Sequence, residues 1–188
     1  MRVSKEQAAG NRARILTATA RMIRESGING VGVDALTKAA GLTHGSLYSQ
    51  FGSKDRLVAE ALMLAMEVSG EKTRKELAEG GSLTTLVARY LSPTHRDAPG
   101  NGCAIAAIGP EAARQGAGIR AAFTHGIRGF AARVAAIMPR ERRDSAEDAA
   151  LATVASLVGA LILARSVDDP ALSDRILAAT AASLTDTP

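Results

Sequence analysis

The sequence predicts an all-α fold, and three observations support this prediction. Alanine accounts for 38 of the 188 residues, and alanine has the highest helix propensity of all residues. The chain has five aromatic residues and no Trp, whereas strands favour aromatic and β-branched side chains. No segment alternates apolar and polar residues with the period of two that a half-buried strand requires. The apolar share of 46% also excludes a disordered chain.

Helical periodicity and glycine breaks predict four helices in the N-terminal part of the chain. The first carries Ile15 and Ile23 at helical spacing and ends at Gly27. Two short helices follow, and a longer helix opens at Ser53 and continues towards Gly80. The predicted spans are 11–26, 33–40, 43–51 and 53–80.

The remainder of the chain also has the pattern of helices joined by short breaks. Two Pro and two Gly within residues 93–102 predict a loop. A short apolar segment, 103–108, precedes Gly109 and Pro110, and residues 140–144 form a charged connector. The predicted helices are 83–91, 119–138, 146–165 and 172–184.

The excess positive charge lies in the first third of the chain. Residues 1–56 contain nine Lys/Arg and four Asp/Glu, a balance of +5, and the other residues balance to −1. This asymmetry indicates an anionic partner for the N-terminal part, with nucleic acid and a membrane surface as the two candidates. A single cysteine fits a reducing compartment. Residues 1–14 lack the apolar region of a secretory signal, so we expect a cytoplasmic protein.

The two short helices, with Gly41 between them, match the pattern of a helix-turn-helix, whose second helix enters the DNA major groove. Leu47 and Phe51 are one turn apart and define the buried face of this second helix, which leaves Gly45 and Ser49 on the opposite face. The outward face is therefore small and polar, and a glycine there allows close approach of the backbone. This pattern favours nucleic acid over a membrane surface.

The stretch from Ile15 to Leu62 resembles the DNA-binding region of TetR/AcrR-family transcriptional regulators, especially in the segment VDALTKAAGLTHGSLYSQFGSKDRLVAEAL, residues 33–62. The one departure is Gly32, where the family commonly has Thr or Ser, and glycine is a tolerable N-cap. The matching residues are Gly41, Thr43, Gly45, Leu47, Tyr48, Phe51, Ser53, Lys54 and Leu57.

The resemblance implies an N-terminal three-helix helix-turn-helix DNA-binding domain, residues 1–53, followed by a C-terminal helical ligand-binding and dimerisation domain, residues 54–188. It also implies a homodimer that binds a double-stranded DNA operator and a small-molecule effector. Thr43 is expected to cap the recognition helix, and Lys54 to hold a phosphate across the groove. The expected DNA contacts are Lys38, Thr43, His44, Gly45, Ser46, Tyr48, Ser49, Gln50 and Lys54.

Apolar and small side chains cover a wide arc of the predicted helix 146–165, which indicates burial on more than one side. Together with helix 172–184 it is the predicted dimer interface, and the alternative is a core helix within one subunit. The predicted interface residues are Leu151, Val154, Ala155, Val158, Gly159, Ile162, Ile176 and Leu177.

Six residues are candidates for lining a ligand pocket, although packing in the core would explain them equally well. They are Leu86, Tyr90, Cys103, Phe123, Ile127 and Phe130. Cys103 is either an inert buried side chain or a reactive thiol at the start of an apolar segment. A Gly-Cys in this region resembles some TetR-type electrophile sensors.

The sequence predicts no enzyme, no cofactor and no metal site. Its three His and one Cys have neither metal-ligand spacing nor a nucleophile–base pattern, and GINGVG lacks the preceding strand of a dinucleotide motif. We therefore predict a sequence-specific DNA-binding transcriptional regulator, a repressor that a small-molecule effector releases from its operator, without membrane attachment. The alternatives are a small all-α enzyme and an electrophile- or redox-sensing regulator acting through Cys103.

Overall fold

The computed structural model describes residues 5–39, 41, 43–138 and 146–185, apart from the side chains of Lys5, His44 and Ser46. These residues form helices and short connections, with no strand among them, which confirms the all-α prediction. The predicted connector 140–144 lies outside the described residues. The helices are α1 Lys5–Ser26, α2 Val33–Ala39, α3 His44–Phe51, α4 Lys54–Ala78, α5 Leu83–Tyr90, α6 Pro93–Asp97, the 3-10 turn Pro99–Asn101, α7 Ala104–Ala112, α8 Ala117–Ala135, α9 Ala146–Ser166 and α10 Pro170–Thr185.

The predicted loop 93–102 is instead mostly helical. Ser92 is the N-cap of α6, and its side chain accepts a hydrogen bond from the His95 N–H at 3.2 Å. Pro93 follows at the first helical position, where its fixed φ suits the helix and its missing N–H costs nothing. The Ser-Pro pair therefore starts a helix at a place where the proline and glycine content predicted a loop.

Helix α7 also runs further than predicted, because it continues through Gly109 and Pro110 to Ala112. Proline in a helix removes one backbone hydrogen bond and is normally costly. Here the helix packs against α1, α8 and α9, with Ile105 and Ile108 buried. Burial of this apolar face offsets the local penalty.

Helix α4 connects the two ends of the molecule, since it packs against both α1 and α8. Its buried residues Leu57 and Leu62 join the N-terminal core of Ile15, Leu36 and Phe51. The predicted domain boundary at residues 53 and 54 thus falls at the start of a helix that both parts share, and the division itself stays a prediction.

Helix α9 is long and apolar enough to cross a membrane by length and composition, and it is the one described helix with this property. In the fold it packs against α8 and α10. Its buried side chains include Val154, Leu157 and Leu161.

Candidate DNA-binding face and ligand cavity

Helix α3 has the two faces that its periodicity predicts. Leu47 and Phe51 are each 1% exposed and hold the helix to the N-terminal core. Gly45 and Ser49 are exposed on the other side, together with Tyr48, of which 49% is accessible. The exposed part of α3 therefore presents a glycine, a hydroxyl and a phenol. The first two are small enough to approach the floor of a DNA groove, and the phenol is long enough to reach its wall.

The turn before α3 depends on a left-handed glycine. Gly41 has φ +66°, and its N–H donates to the Lys38 carbonyl at 3.1 Å. Thr43 occupies the N-cap position in an extended conformation, but its hydroxyl makes no capping hydrogen bond, so that part of the prediction is wrong. The exposed Thr43 side chain remains available to a ligand at the start of α3.

The other predicted DNA contacts surround this face. Lys38 is exposed on α2, and Gln50 and Lys54 are half-buried at the far end of α3 and the start of α4. The side chains of His44 and Ser46 lie outside what the structure describes.

Arg12 is a positioning residue, whereas the sequence indicated only a phosphate contact or a solvated charge for it. Its guanidinium lies over the Phe51 ring, 4.7 Å from the ring centre, and it forms an ion pair with Glu60. Glu60 also accepts from Arg56 at 3.3 Å. These contacts tie α1 to α4 across the end of the recognition helix, which fixes the orientation of α3.

A cavity of about 350 Å³ lies in the C-terminal part of the chain, between α4, α5, α8 and the segment 98–105. Four of the six predicted lining residues are in its wall: Leu86, Tyr90, Cys103 and Phe130. The other lining residues are Met66, Ser69, Lys72, Thr73, Arg89, Ser92, Thr94, His95, Ala98, Asn101, Gly102, Ala104, Ile105, Gly126 and Arg133.

The structure places Phe123 and Ile127 outside this wall. Gly126, Phe130 and Arg133 are the residues of α8 that face the cavity. Phe123 is a turn earlier and packs in the core near Gly109. Ile127 is rotated away from Gly126 by the helical step of about 100° and is half-buried elsewhere.

A hydrogen-bonded histidine shapes one wall of the cavity. His95 Nε2 accepts from the Cys103 N–H at 3.0 Å, which leaves the proton on Nδ1 to bond the Tyr90 carbonyl at 2.6 Å. Burial lowers the pKa of His95, in line with a neutral ring. Arg165 donates to the His95 carbonyl at 2.7 Å. His95 therefore joins the end of α5 to the start of α7.

Tyr90 is the aromatic centre of the cavity. Its ring stacks on Phe130 with centres 5.7 Å apart and meets the edge of His95 at 4.7 Å. It is 5% exposed, and burial, with a smaller contribution from Cys103, raises the pKa of Tyr90 well above its usual value of 10. The phenol is therefore a neutral hydrogen-bond donor.

The segment that flanks the cavity also contacts the DNA-binding part. Arg24, near the end of α1, donates to the Gly100 carbonyl at 2.8 Å. The Ile28 N–H, just after α1, donates to Glu111 Oε2 at 3.0 Å. These hydrogen bonds connect the end of α1 to residues 99–112, part of which lines the cavity.

The predicted dimer residues divide into two groups. Val154 and Leu177 are 4% and 3% exposed and belong to the core of the subunit, so the structure corrects their placement at an interface. They face inward because the buried rows of α9 and α10 meet each other there. The remaining residues are exposed or half-buried: Leu151, Ala155, Val158, Gly159, Ile162 and Ile176.

Exposed leucines accompany this second group. Leu151, Leu163 and Leu172 are 43%, 57% and 41% exposed. We call the exposed side of α9 and α10 the α9/α10 face, defined by Leu151, Ala155, Gly159, Ile162, Leu163, Leu172 and Ile176. Contiguous exposed apolar residues of this kind mark interaction surfaces.

Comparison with known proteins agrees with the geometry. Residues 15–61 match the family described as bacterial regulatory proteins, tetR family. No curated protein matches the chain. The N-terminal domain and the fold together define a helix-turn-helix regulator of transcription. The resemblance of the N-terminal segment to TetR-family transcriptional regulators is confirmed over residues 15–61.

Solved structures of that family share the fold along nearly the whole chain. The reduced form of NemR from Escherichia coli is 21% identical with a TM-score of 0.79, and the match covers 95% of this chain and 98% of that one. A TetR-family regulator from Cytophaga hutchinsonii is 20% identical with a TM-score of 0.77 and full coverage of both chains. A TetR regulator from Chloroflexus aurantiacus is 21% identical with a TM-score of 0.76, covering 97% and 98%. Repression and dimerisation are typical of the family.

Proposed function

We propose that the protein is a cytoplasmic repressor that leaves its operator when a small-molecule effector occupies the cavity. The observation that carries this proposal is that residues 99–112 contact both the cavity and the end of α1. Asn101 to Ile105 line the cavity, while Gly100 and Glu111 accept hydrogen bonds from the end of α1. An effector that displaces this segment would shift α1 and the helix-turn-helix packed on it. A coupling of about 1–3 kcal/mol would weaken DNA binding about 5–150-fold.

On the DNA side, α3 enters the major groove with its exposed face. Gly45 allows the backbone to approach the base edges, and Tyr48 and Thr43 reach phosphates through their hydroxyls. Lys38 and Lys54 flank the groove as cations for the two backbones. The remaining candidates, for contacts to the bases, are His44, Ser46, Ser49 and Gln50.

The DNA-binding unit is a homodimer joined through the α9/α10 face. Ala155 and Gly159 are small enough for two helices to approach closely, and Leu163 supplies apolar area at the centre of the face. Dimerisation sets the distance between two recognition helices, which must be about 34 Å to enter successive major grooves. In the dimer the α9/α10 face is buried against the second subunit. The exposed leucines of this face therefore do not require membrane attachment to explain them.

Binding to the DNA upstream of the protein's own gene tests the proposal, measured by fluorescence anisotropy at several salt concentrations. We expect tighter binding to this DNA than to a scrambled duplex of equal length, with affinity falling as salt rises. Lys54→Ala should reduce the salt slope by about one. Lys75→Ala, at the far end of α4, is the matched control. Equal affinity for both duplexes would contradict the proposal.

Deletion of the gene separates repression from activation. Transcription from the bound promoter should rise in the deletion strain and fall again when the gene is restored. A fall on deletion would identify an activator instead.

A second function, sensing of electrophiles, is favoured by the position of Cys103. The half-buried Cys103 lies in the cavity wall, and Arg24, Arg133 and Arg165 each interact electrostatically with it. Partly exposed, electropositive surroundings are typical of reactive cysteines. Alkylation with N-ethylmaleimide should then lower operator affinity, and Cys103→Ser should abolish the effect. Unchanged affinity after complete alkylation would leave Cys103 as a packing residue.

A further inference from the structure

Two buried hydrogen-bond donors in the cavity wall lack a good acceptor. Arg133 Nε finds no acceptor among the described residues, and the Tyr90 hydroxyl has only the Cys103 thiol beside it, whose sulfur is a weak acceptor. Both residues line the cavity. Tyr90 is more than nine-tenths buried. A buried donor without a good acceptor destabilises the folded protein. Two of them in one cavity wall indicate a ligand that supplies acceptor atoms.

The charge of the cavity wall is entirely positive. Lys72, Arg89 and Arg133 line it, and no Asp or Glu does so within the described chain. Arg89 is already neutralised by Glu76, which lies 3.0 Å from its Nε. Arg133 and Lys72 form no ion pair with any described residue. The cavity therefore has cationic charge that an anion would compensate.

The backbone makes room for the Arg133 side chain. A Cβ atom at Gly70 on α4 would lie 2.9 Å from Arg133 Nη1, so only glycine lets the guanidinium occupy this place without a shift. The guanidinium also lies near the Phe130 ring, 5.9 Å from its centre. Burial and the nearby Arg74 lower the pKa of Arg133 below its usual range, because both disfavour a positive charge here. A bound anion would stabilise that charge.

Part of the wall is apolar, and its uncharged polar side chains are Ser69, Thr73, Ser92, Thr94, His95 and Asn101. Met66, Leu86, Ile105 and Phe130 provide a hydrophobic surface next to the two donors. The volume of about 350 Å³ lies near the lower end of the range for small-molecule pockets, roughly 300–1,000 Å³. The ligand that fits is small, with an apolar body and a single acceptor-rich end.

We infer that the effector is an organic carboxylate with an aromatic or aliphatic body. Its carboxylate accepts from Arg133 and from the Tyr90 hydroxyl, and its body lies against Leu86 and Ile105. This inference rests on the proposed function for its regulatory meaning, because it names the effector class of the same cavity. The binding chemistry itself requires only the cavity.

Calorimetric titration of the full-length protein without DNA tests the inference. The probes are benzoate, 2-naphthoate, octanoate and decanoate, each paired with its neutral primary amide. We expect at least one carboxylate to bind about tenfold or more tightly than its amide, because the neutral amide has no negative charge to pair with the Arg133 guanidinium. Equal affinity within every pair, or no binding of any carboxylate, would overturn the inference.

Variants assign the binding to the two donors. Arg133→Gln and Tyr90→Phe should each weaken the best carboxylate about tenfold and weaken its amide less, because a charged acceptor forms the stronger hydrogen bond. Arg128→Gln, an exposed arginine on the same helix, should have no effect. Tyr90→Phe keeps the packing of the ring, so it remains informative if Arg133→Gln fails to fold. Unchanged carboxylate affinity in Tyr90→Phe and in folded Arg133→Gln would overturn the assignment.

A separate anisotropy titration with operator DNA distinguishes the two proposals. Binding of the carboxylate without release of DNA would refute effector release and leave the carboxylate site intact. Release of DNA by an amide as readily as by its carboxylate would refute the carboxylate inference and leave effector release intact.

Discussion

The carboxylate of Glu111 on α7 accepts a hydrogen bond from the backbone N–H of Ile28, with Oε2 and N 3.0 Å apart. The two residues are 83 positions apart in the chain. Ile28 is 3% exposed and lies directly after α1, in the turn that leads to the helix-turn-helix. One side chain from the cavity-flanking segment thus satisfies a buried donor of the DNA-binding part, and it orients α1 relative to α7.

Glu111→Ala should destabilise the protein by about 1–3 kcal/mol, because the buried Ile28 N–H loses its acceptor. Urea unfolding followed by circular dichroism measures the change. Glu67→Ala, an exposed residue on α4, is the control and should change stability by less than about 0.5 kcal/mol. Equal effects of both substitutions would show that the Glu111 contact contributes nothing.

Gly41→Ala should destabilise the helix-turn-helix by about 1–2 kcal/mol, since alanine is strained at φ +66°. Apart from its chain neighbours, no described residue has an atom within 4 Å of the added Cβ, so the expected effect comes from backbone conformation. Gly10→Ala, inside α1 and equally open, should instead stabilise by about 0.5–1 kcal/mol. Thermal unfolding of both variants gives the comparison, and the two changes must have opposite signs for the argument to hold.

Stability should fall as the pH drops below about 6.5, through His95. Burial lowers the pKa of His95 in the folded protein below its usual value of 6.5, so the unfolded chain binds the proton more readily. The contribution is complete above pH 6.5 and is lost as the pH falls towards the folded pKa. Unfolding free energies at pH 5 to 8 should show a smaller slope for His95→Gln. His125 is exposed, and His125→Gln is the control that should leave the pH dependence of the unfolding free energy as in the parent chain. The same pH dependence in His95→Gln as in the parent chain would contradict this assignment.

Ala155→Glu should convert a dimer to monomers, because it places a charge in the centre of the α9/α10 face. Sedimentation equilibrium measures the change, and circular dichroism should show unaltered helix content because Ala155 is exposed within the subunit. Ala132→Glu on the exposed side of α8 is the matched control and should leave the dimer intact. A parent chain that sediments as a monomer at all concentrations would refute dimerisation through this face.

Local patterns were sufficient for the recognition helix. The spacing of Leu47 and Phe51 defined the buried side of α3, and the exposed side followed from 3.6-residue periodicity. Gly41 marked the turn because few other residues adopt a positive φ. Capping was less predictable, since Thr43 stands at the right position but makes no side-chain hydrogen bond.

The cavity could be predicted only in part. Tyr90 and Phe130 were identified as apolar candidates, whereas Arg133, at the next helical position after Phe130 on the same side, was missed. Its spacing of three from Phe130 and seven from Gly126 was a usable signal, because these positions share one face of a helix. A search for apolar residues alone does not select an arginine.

The sequence by itself determined that the chain is all-helical, where its recognition helix lies and which side of that helix is exposed, because these properties follow from neighbours within a few residues. The tertiary structure decided that Val154 and Leu177 belong to the core, that Phe123 and Ile127 lie outside the cavity, and that Glu111 meets Ile28. These depend on which faces of distant helices meet. Periodicity shows that a helix has an apolar face, but it does not show which other helix packs against that face.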